Sequence, residues 1–592
     1  MDLRKHLTPI IILFLISFLP FYWLKDGLFA ATAESGLYLY NSARIFDQCL
    51  YVWWDKIGLG FSLPQNISTI IFHWFMSLFD HAGLTENLKQ EIFYSMIFFS
   101  SGIFVYFLAG VAFHDENKFR RYSALVSAIF YQFNSFVMIN MWHRFSTTIF
   151  VLPFLPLLLG LYIYGLKKKN IRIAVLIGCV SIIFSFVFSN PPLGASLLFP
   201  PFLYLIFYLS INFSKKSNVS FALFYSFCIF VLFIAVNLWW ILPYSESAQT
   251  LYQVAGSEED KLETLRNLSA HNGMVYILRL LRDISIHTWG NTFPSFFNAI
   301  TTLIPLIVFF PLLTKRTKHT VFFILMTVFG ILLMAGTSGI FGNVFEFLFL
   351  HLPFFGIFRN SYEKLGLITV LGYSLLFGIG LMAIYEKLGQ YKIGSFKAKL
   401  ITLTLFLLVC VVPVFPMWTG KIIKLELWGK SSLVKIPDEY KEADQWLLNQ
   451  KENFRVISYP ITNYDGVVYS WQHGYCGDNM EFLLLGNKPF IGRTLWTNEN
   501  FETITRMLQD LIYREDALHK FAPILNVKYL LLHNDLDKQY IDALGLDAPE
   551  AIRQGIDYYQ KGLTLEKKFG DLEFYKFDEK YFLPHIWAIN AN

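Results

Sequence analysis

Ile67-Ser68-Thr69-Ile70-Ile71-Phe72-His73-Trp74-Phe75-Met76-Ser77-Leu78-Phe79 is the stretch on which the fold turns. It is apolar, but a membrane helix needs roughly 20 such residues to cross the hydrocarbon core, and this run is shorter and carries His73. Eleven other segments qualify, near 7–24, 91–113, 122–141, 145–166, 173–189, 192–213, 219–242, 295–313, 320–336, 365–385 and 400–418. Whether 67–79 also crosses decides the side of every later loop, and the basic residues answer that question. With 67–79 outside the count and the N-terminus inside, Arg4/Lys5, Lys118/Arg120/Arg121, Lys167/Lys168/Lys169/Arg172, Lys215/Lys216, Lys315/Arg316/Lys318 and Lys387/Lys392/Lys397/Lys399 all fall in cytoplasmic loops. The opposite short connections hold little more than Arg144 and Arg359. Counting 67–79 as a span would invert this positive-inside bias. The expected fold is therefore a mostly α polytopic bundle of about eleven spans, N-terminus in and C-terminus out, followed by an α/β domain.

Working outward, the composition agrees. The chain has 592 residues, 55% hydrophobic and only 16% charged, against about 25% charged in soluble domains. Residues 1–418 carry 29 Lys/Arg and 19 Asp/Glu, whereas 419–592 carry 20 and 25. The net charge of +5 is thus +10 in the first part and −5 in the second. A single soluble domain, a uniformly basic nucleic-acid binder and a disordered chain are excluded. The first span, with Pro9 and Pro20 and no small-residue cleavage site, is not a cleavable signal peptide.

The domain expectation is 1–418 for the membrane part, 419–436 for a linker and 437–592 for an extracytoplasmic domain. The first outer loop, 25–90, holds Tyr51, Trp53, Trp54, Phe61, Phe72, Trp74 and Phe75, a composition suited to the membrane interface. A second outer loop covers 243–294. In the C-terminal domain, helices are expected over Asp438–Gln450 and Glu502–Tyr513. Strands are expected over Arg455–Tyr459, Lys528–His533, Leu563–Phe569 and Leu572–Phe577, the last two joined by Gly570-Asp571. No phosphate-binding loop, GxSxG, HExxH or dinucleotide fingerprint occurs. The five cysteines form no CxxC; a Cys49–Cys476 disulfide on the outer side is left open.

Ionisable groups beside a membrane core are functional candidates by default. The outer ends of the spans supply Asp26, Glu34, Arg44, Asp47, Asp55 and Lys56, then His143 and Arg144, then Glu246, Asp283 and His287. The 337–364 connection supplies Glu346, His351, Arg359, Glu363 and Lys364. A carboxylate beside several cations suits transfer from an anionic lipid carrier, the acid taking a hydroxyl proton and the cations holding a phosphate leaving group.

Thr32-Ala33-Glu34-Ser35-Gly36-Leu37-Tyr38, with Trp53-Trp54-Asp55 and Gly58-Leu59-Gly60, resembles the first extracytoplasmic loop of GT-C membrane glycosyltransferases. The similarity is to the N-terminal domain of the α-arabinofuranosyltransferases of actinobacterial cell walls. YfhO-type membrane proteins share Phe358-Arg359-Asn360-Ser361-Tyr362-Glu363-Lys364, Leu525-Asn526-Val527-Lys528-Tyr529 and Phe569-Gly570-Asp571-Leu572-Glu573-Phe574-Tyr575. The resemblance implies a polyprenyl-phosphate sugar donor, a glycan or glycolipid acceptor, and catalysis on the outer face of the cell membrane. It implies a catalytic acid in the first loop. Glu34 stands where the arabinofuranosyltransferase pattern has Asp, with Asp26 and Asp55 in reserve. Arg359, Lys364, His143 and Arg144 are the substrate-contact candidates, and residues 38–79 would be interfacial helices framing the donor. Some enzymes of this class use a divalent metal, but no ligand cluster here calls for one. The end of the chain, Pro584-His585-Ile586-Trp587-Ala588, resembles the start of a further extracytoplasmic segment, which leaves a longer native chain open. Two other classes stay open. A transporter or flippase of a lipid-linked substrate would need broken helices or ionisable groups in mid-membrane, and the spans are nearly free of charge. A non-catalytic accessory protein of envelope assembly could share the same fold.

Overall fold

A computed structural model describes all residues except 1–5, 25–26, 32–36, 114–119, 143–146, 254–257, 283–298, 315–316, 392, 424–425, 428–429, 432, 463–465, 480, 493–498 and 584–592. The chain forms two compact units, Met1–Trp23 with Glu91–Ile422 and Leu24–Gln90 with Ile423–Asn592. This grouping differs from the expected 1–418 membrane domain: the segment read as its first outer loop packs with the C-terminal residues.

The first unit is helical. Among the described residues seven helices are long and apolar enough to cross a membrane: Glu86–Ala112, Arg121–Trp142, Val151–Lys168, Pro191–Ile211, Lys216–Ser245, Lys318–Ser338 and Ser361–Gln390. Leu7–Trp23, Arg172–Ile183 and Ala299–Leu313 are shorter apolar helices, and Ser395–Cys410 is a further helix. Each of the eleven expected segments thus contains a helix, and seven have full length. The first is interrupted between Ile16 and Leu19. There the Ser17 hydroxyl bonds the Phe14 carbonyl at 2.6 Å, and Pro20 offers no N–H to continue the ladder. The expected boundary at 242 is displaced, because the helix runs through Pro243 to Gln253. Two further helices, Glu258–Ala270 and Met274–Ile277, occupy the region read as the second loop.

The Ser361–Gln390 helix is the centre of this unit, buried from Tyr373 to Phe377 and beyond. It lies against Lys318–Ala335, Arg120–Gln132 and Leu303–Phe309. Small residues make this closeness feasible. A Cβ on Gly372 would sit 2.1 Å from the Thr327 hydroxyl, and one on Gly378 would sit 2.2 Å from that of Ser127. In lipid there is no hydrophobic drive between helices, so close van der Waals packing at such positions has to hold them together. Asn360 caps the helix, its Oδ1 accepting from the Glu363 N–H at 3.4 Å while its Nδ2 donates to Glu363 Oε2 at 2.9 Å.

The second unit is built on a five-stranded sheet, in order Phe490–Ile491, Arg455–Tyr459, Val527–His533, Leu572–Phe577 and Leu563–Phe569. The first three run parallel, and the last two pair antiparallel. All seven residues of Val527–His533 are buried, as a central strand covered on both faces requires. Its side chains alternate. Leu530 and Leu532 join Leu508, Ile512, Ile552 and Ile556 on one face. On the other, Trp446 of the Asp438–Leu448 helix packs on Tyr529 and Phe574 at 5.1 and 5.0 Å between ring centres. The expected strands at 455–459, 563–569 and 572–577 occur with those bounds.

The Leu24–Gln90 segment belongs here because its backbone completes this domain. Gly58 N–H donates to the Phe490 carbonyl at 2.7 Å, and Phe490 N–H donates to that of Lys56 at 2.9 Å, covering the edge strand. Phe29–Ala30 pairs antiparallel with Leu433–Val434. Arg44 donates two bonds to the Asp444 carboxylate, at 2.8 and 2.9 Å, and one to the Leu483 carbonyl at 2.7 Å. The aromatic residues of the segment therefore divide. Trp54, Phe61 and Phe72 are buried, whereas Tyr51, Trp53 and Trp74 are exposed. Within 38–79 only Ser42–Cys49 and Ile70–His81 are α-helical, separated by a small hairpin. The 12 residues of Ile70–His81 rise about 18 Å, short of the roughly 30 Å core of a bilayer. Cys49 and Cys476 are both free; Cys49 is buried beside the Thr69 hydroxyl at 3.2 Å.

Replacing Gly372 with Leu should force the central helices apart at a cost of about 1–3 kcal/mol, lowering the thermal midpoint and yield of the protein in detergent. Gly389, with no atom within 4 Å of an added Cβ, should accept the same change; equal loss in both variants would contradict this packing account.

Candidate functional site

The late motif Phe358–Lys364 folds as the entry to the Ser361–Gln390 helix, where unpaired N–H groups and the helix dipole favour negative charge. Arg359 is exposed and has no hydrogen-bond or ion-pair partner among the described residues. Lys364 differs: its ammonium lies 2.6 Å from Glu363 Oε1, and Glu363 is buried. Behind them Tyr362 is fully buried with the Arg282 guanidinium 5.2 Å from its ring centre. Ser361 Oγ and Asn272 Nδ2 both donate to the Met334 carbonyl, at 3.2 and 3.3 Å. The motif thus divides its two cations, one committed to a buried carboxylate and one available.

Glu34, Asp26, His143 and Arg144 lie outside the described residues, as do Asp283, His287 and the side chain of Glu246. What precedes and follows Glu34 is well defined. Gln90 clamps Ala30 like a strand partner, Oε1 accepting from its N–H at 2.9 Å and Nε2 donating to its carbonyl at 2.8 Å. Asn41 N–H donates to Glu86 Oε1 at 3.1 Å, and Ala43 N–H to Asp80 Oδ2 at 2.9 Å. Lys89, fully buried, binds both of those carboxylates. One cation and two acids from 80–89 therefore fix the backbone that flanks 32–36.

Asp55 is half exposed and lies 3.5 Å from the Lys56 ammonium. Asp47 is exposed, and Arg44 is taken up by Asp444. Glu346 pairs with Arg266 at 2.6 Å. Among the described residues no group of three or more His, Cys, Asp or Glu side chains could hold a metal ion.

A buried charge network in the second unit was not anticipated from the sequence. His533 Nδ1 lies 3.0 Å from Asp535 Oδ1, and its Nε2 lies 2.9 Å from Glu481 Oε1. Both ring nitrogens face carboxylates, so both donate and the ring is an imidazolium. Burial opposes that charge, but the bonds and charges of Asp535 and Glu481 outweigh it and lift the His533 pKa to about 10. Asp535 also accepts from Tyr440 OH at 2.7 Å and Trp471 Nε1 at 2.8 Å. Despite its burial, it is held below the usual carboxylate range by His533 and these donors. Glu481 accepts from Ser458 Oγ at 2.8 Å. His533 was legible only as the end of an apolar strand; the two acids are separated from it in sequence or turn, and no spacing joins them.

No protein-family model matches the chain, and no curated protein matches it. Among solved structures it is similar to the mycobacterial arabinofuranosyltransferase AftD, with TM-score 0.66 and 13% identity over 98% of this chain and 40% of that one. Two classes of a mutant of AftD align with TM-scores of 0.64 and 0.60, at 13% and 14% identity. The second and third alignments cover 98% and 97% of this chain, and 42% and 41% of theirs. The chain thus spans about two fifths of the length of these structures. At that identity the likeness shows the fold alone, and it agrees with the resemblance read from the sequence.

The imidazolium makes a pH prediction. Its pKa is about 10 in the folded chain and about 6.5 when unfolded. Its stabilisation is complete below about pH 6.5 and is lost as pH rises towards 10. The thermal midpoint of the full chain in detergent should fall across that window, and His533→Gln should flatten the fall. That variant should also cost about 3–5 kcal/mol at pH 7, because it leaves two buried carboxylates uncompensated. The same alkaline slope in both proteins would contradict the assignment.

Proposed function

We propose that the chain is an integral membrane glycosyltransferase that transfers a sugar from a polyprenyl-phosphate donor to a glycan or glycolipid acceptor on the outer face of the cell membrane. The observation that carries this reading is the match of 98% of the chain to a membrane arabinofuranosyltransferase, together with the resemblance of its first-loop and late motifs. In the proposed step an acceptor hydroxyl gives its proton to the Glu34 carboxylate while its oxygen attacks the anomeric carbon. The bond from that carbon to the phosphate oxygen breaks, the electron pair leaves with the polyprenyl phosphate, and the configuration inverts. Two features support the residue roles. The chain on either side of Glu34 is pinned by Gln90, Glu86 and Asp80, which is what a positioned base needs. Arg359 is uncommitted at the start of a 30-residue helix, where an anionic oxygen is favoured. His143 and Arg144 are the further proposed substrate contacts, Lys364 ranks behind them because it is paired with Glu363, and Asp55 is the reserve acid.

Transfer is tested in membranes with radiolabelled polyprenyl-phosphate sugars. Glu34→Gln should reduce turnover by about 10^2–10^4-fold without affecting membrane insertion, and wild-type-like transfer by this variant would sink the assignment. Arg359→Ala should lower kcat/KM for the donor by roughly 10- to 100-fold, the loss of one charge-assisted bond; an unchanged value would remove Arg359 from the donor site.

A further inference from the structure

The two ends of the packing around the Ser361–Gln390 helix differ in kind. Its middle is held by small residues, Gly372 and Gly378 among them. Around its Arg359 end, by contrast, Asn140, Asn272, Arg282, Ser361, Tyr362 and Glu363 are all buried. Polar and ionisable side chains withdrawn into a membrane bundle are costly and mark functional positions by default. Tyr362 joins several of these groups. Its ring packs on Phe136 at 5.2 Å between ring centres. Arg282, which lies over the same ring, is anchored by a bond to the Leu268 carbonyl at 2.7 Å. The Tyr362 hydroxyl is hydrogen-bonded to the Asn140 side chain, the kind of partner that a buried phenol requires.

Asn140 is itself set in an unusual piece of backbone. The Arg121–Trp142 span does not end as an α-helix, because Met138–Trp142 is a π turn. Within it Asn140 Nδ2 donates to the Phe136 carbonyl at 2.9 Å. Such turns are rare and recur at functional sites. The next residues in sequence are His143 and Arg144, two of the proposed substrate contacts. The same span also grips the start of the other helix at Gly366, where an added Cβ would sit 2.3 Å from the Phe136 ring. Phe136 and Asn140 thus hold the first turn, one by packing and one by a directional bond. Arg359 has no side-chain partner among the described residues, so the direction of that turn decides where its guanidinium reaches. A misplacement of about 1 Å is enough to weaken a positioned contact substantially.

We propose that Tyr362 is a positioning residue of the donor site: by bonding Asn140 it holds the first helical turn, and with it Arg359, in place for the lipid-linked phosphate. This rests on the reading of Arg359 as the phosphate contact. The test is equilibrium binding of radiolabelled decaprenyl phosphate to the full chain in detergent, a probe that carries no sugar and is not turned over. Tyr362→Phe removes the hydroxyl and keeps the ring; it should weaken binding about 10-fold, or ~1.4 kcal/mol. Asn140→Leu removes the same bond from the other side and should do the same. Combined with Arg359→Ala, Tyr362→Phe should add no further loss, the coupling that a double-mutant cycle measures. Tyr373→Phe is the control. It deletes another fully buried hydroxyl of the same helix, one that donates to the Leu278 carbonyl at 3.0 Å, and should lower the thermal midpoint while leaving binding unchanged. The proposal is overturned if the wild type does not bind decaprenyl phosphate, or if Tyr362→Phe and Asn140→Leu bind as well as the wild type. It is equally overturned if the Tyr362→Phe loss persists in full beside Arg359→Ala, or if Tyr373→Phe weakens binding as much. Transfer can fail while this binding and its coupling hold, and the coupling can fail while transfer proceeds, so the two readings are separated.

Discussion

The close approach of the Ser361–Gln390 helix to its neighbours underlies the helical unit. In a bilayer the helices have satisfied their own backbone groups and gain nothing from water exclusion, so contact distance decides whether they associate. Gly372 against Thr327 and Gly378 against Ser127 set that distance. The same helix begins with Asn360 as its cap and Glu363 buried in its first turn. The rigid packing that holds its middle therefore also fixes the direction of its N-terminus. Arg359 projects from that end with no competing partner among the described residues, while the neighbouring Lys364 is held by Glu363.

A different constraint shapes the second unit. Its sheet would expose the Phe490–Ile491 edge, and an open edge is a liability. The chain closes it with Lys56 and Gly58 from the early segment and fastens the segment with Arg44 on Asp444. That same segment carries Glu34. The buried Lys89 and its partly exposed partners Asp80 and Glu86 then have a clear physical purpose. A cation withdrawn from water needs acidic partners, and the two acids that supply them also tie down the backbone at Asn41 and Ala43.

The helical part was largely legible because lipid imposes one simple rule, long apolar runs flanked by basic loops. Each expected segment holds a helix. The deviations occur where local chemistry bends that rule: a serine hydroxyl and Pro20 interrupt the first helix, and Pro243 is absorbed within a longer one. In the C-terminal domain, the Arg455–Tyr459 and Leu563–Phe577 strands could be read from alternation and from Gly570-Asp571. The short Val467–Tyr469 and Tyr475–Gly477 hairpin could not, since three residues give no period. The fate of 24–90 was also hidden. Its aromatic residues suit an interface and a core equally well, and only long-range partners such as Phe490 and Asp444 distinguish the two. Glu481, His533 and Asp535 come together through tertiary folding, so no motif could announce them.

The most direct test of the proposed transferase is ³¹P NMR of vesicles containing the full chain, a polyprenyl-phosphate sugar and an acceptor glycan. Transfer breaks the bond between the anomeric carbon and the phosphate oxygen, so the phosphodiester signal of the donor should decline and a phosphomonoester signal should grow, only when acceptor is present. A donor that stays a diester while moving intact between leaflets would contradict the account and identify a transporter instead.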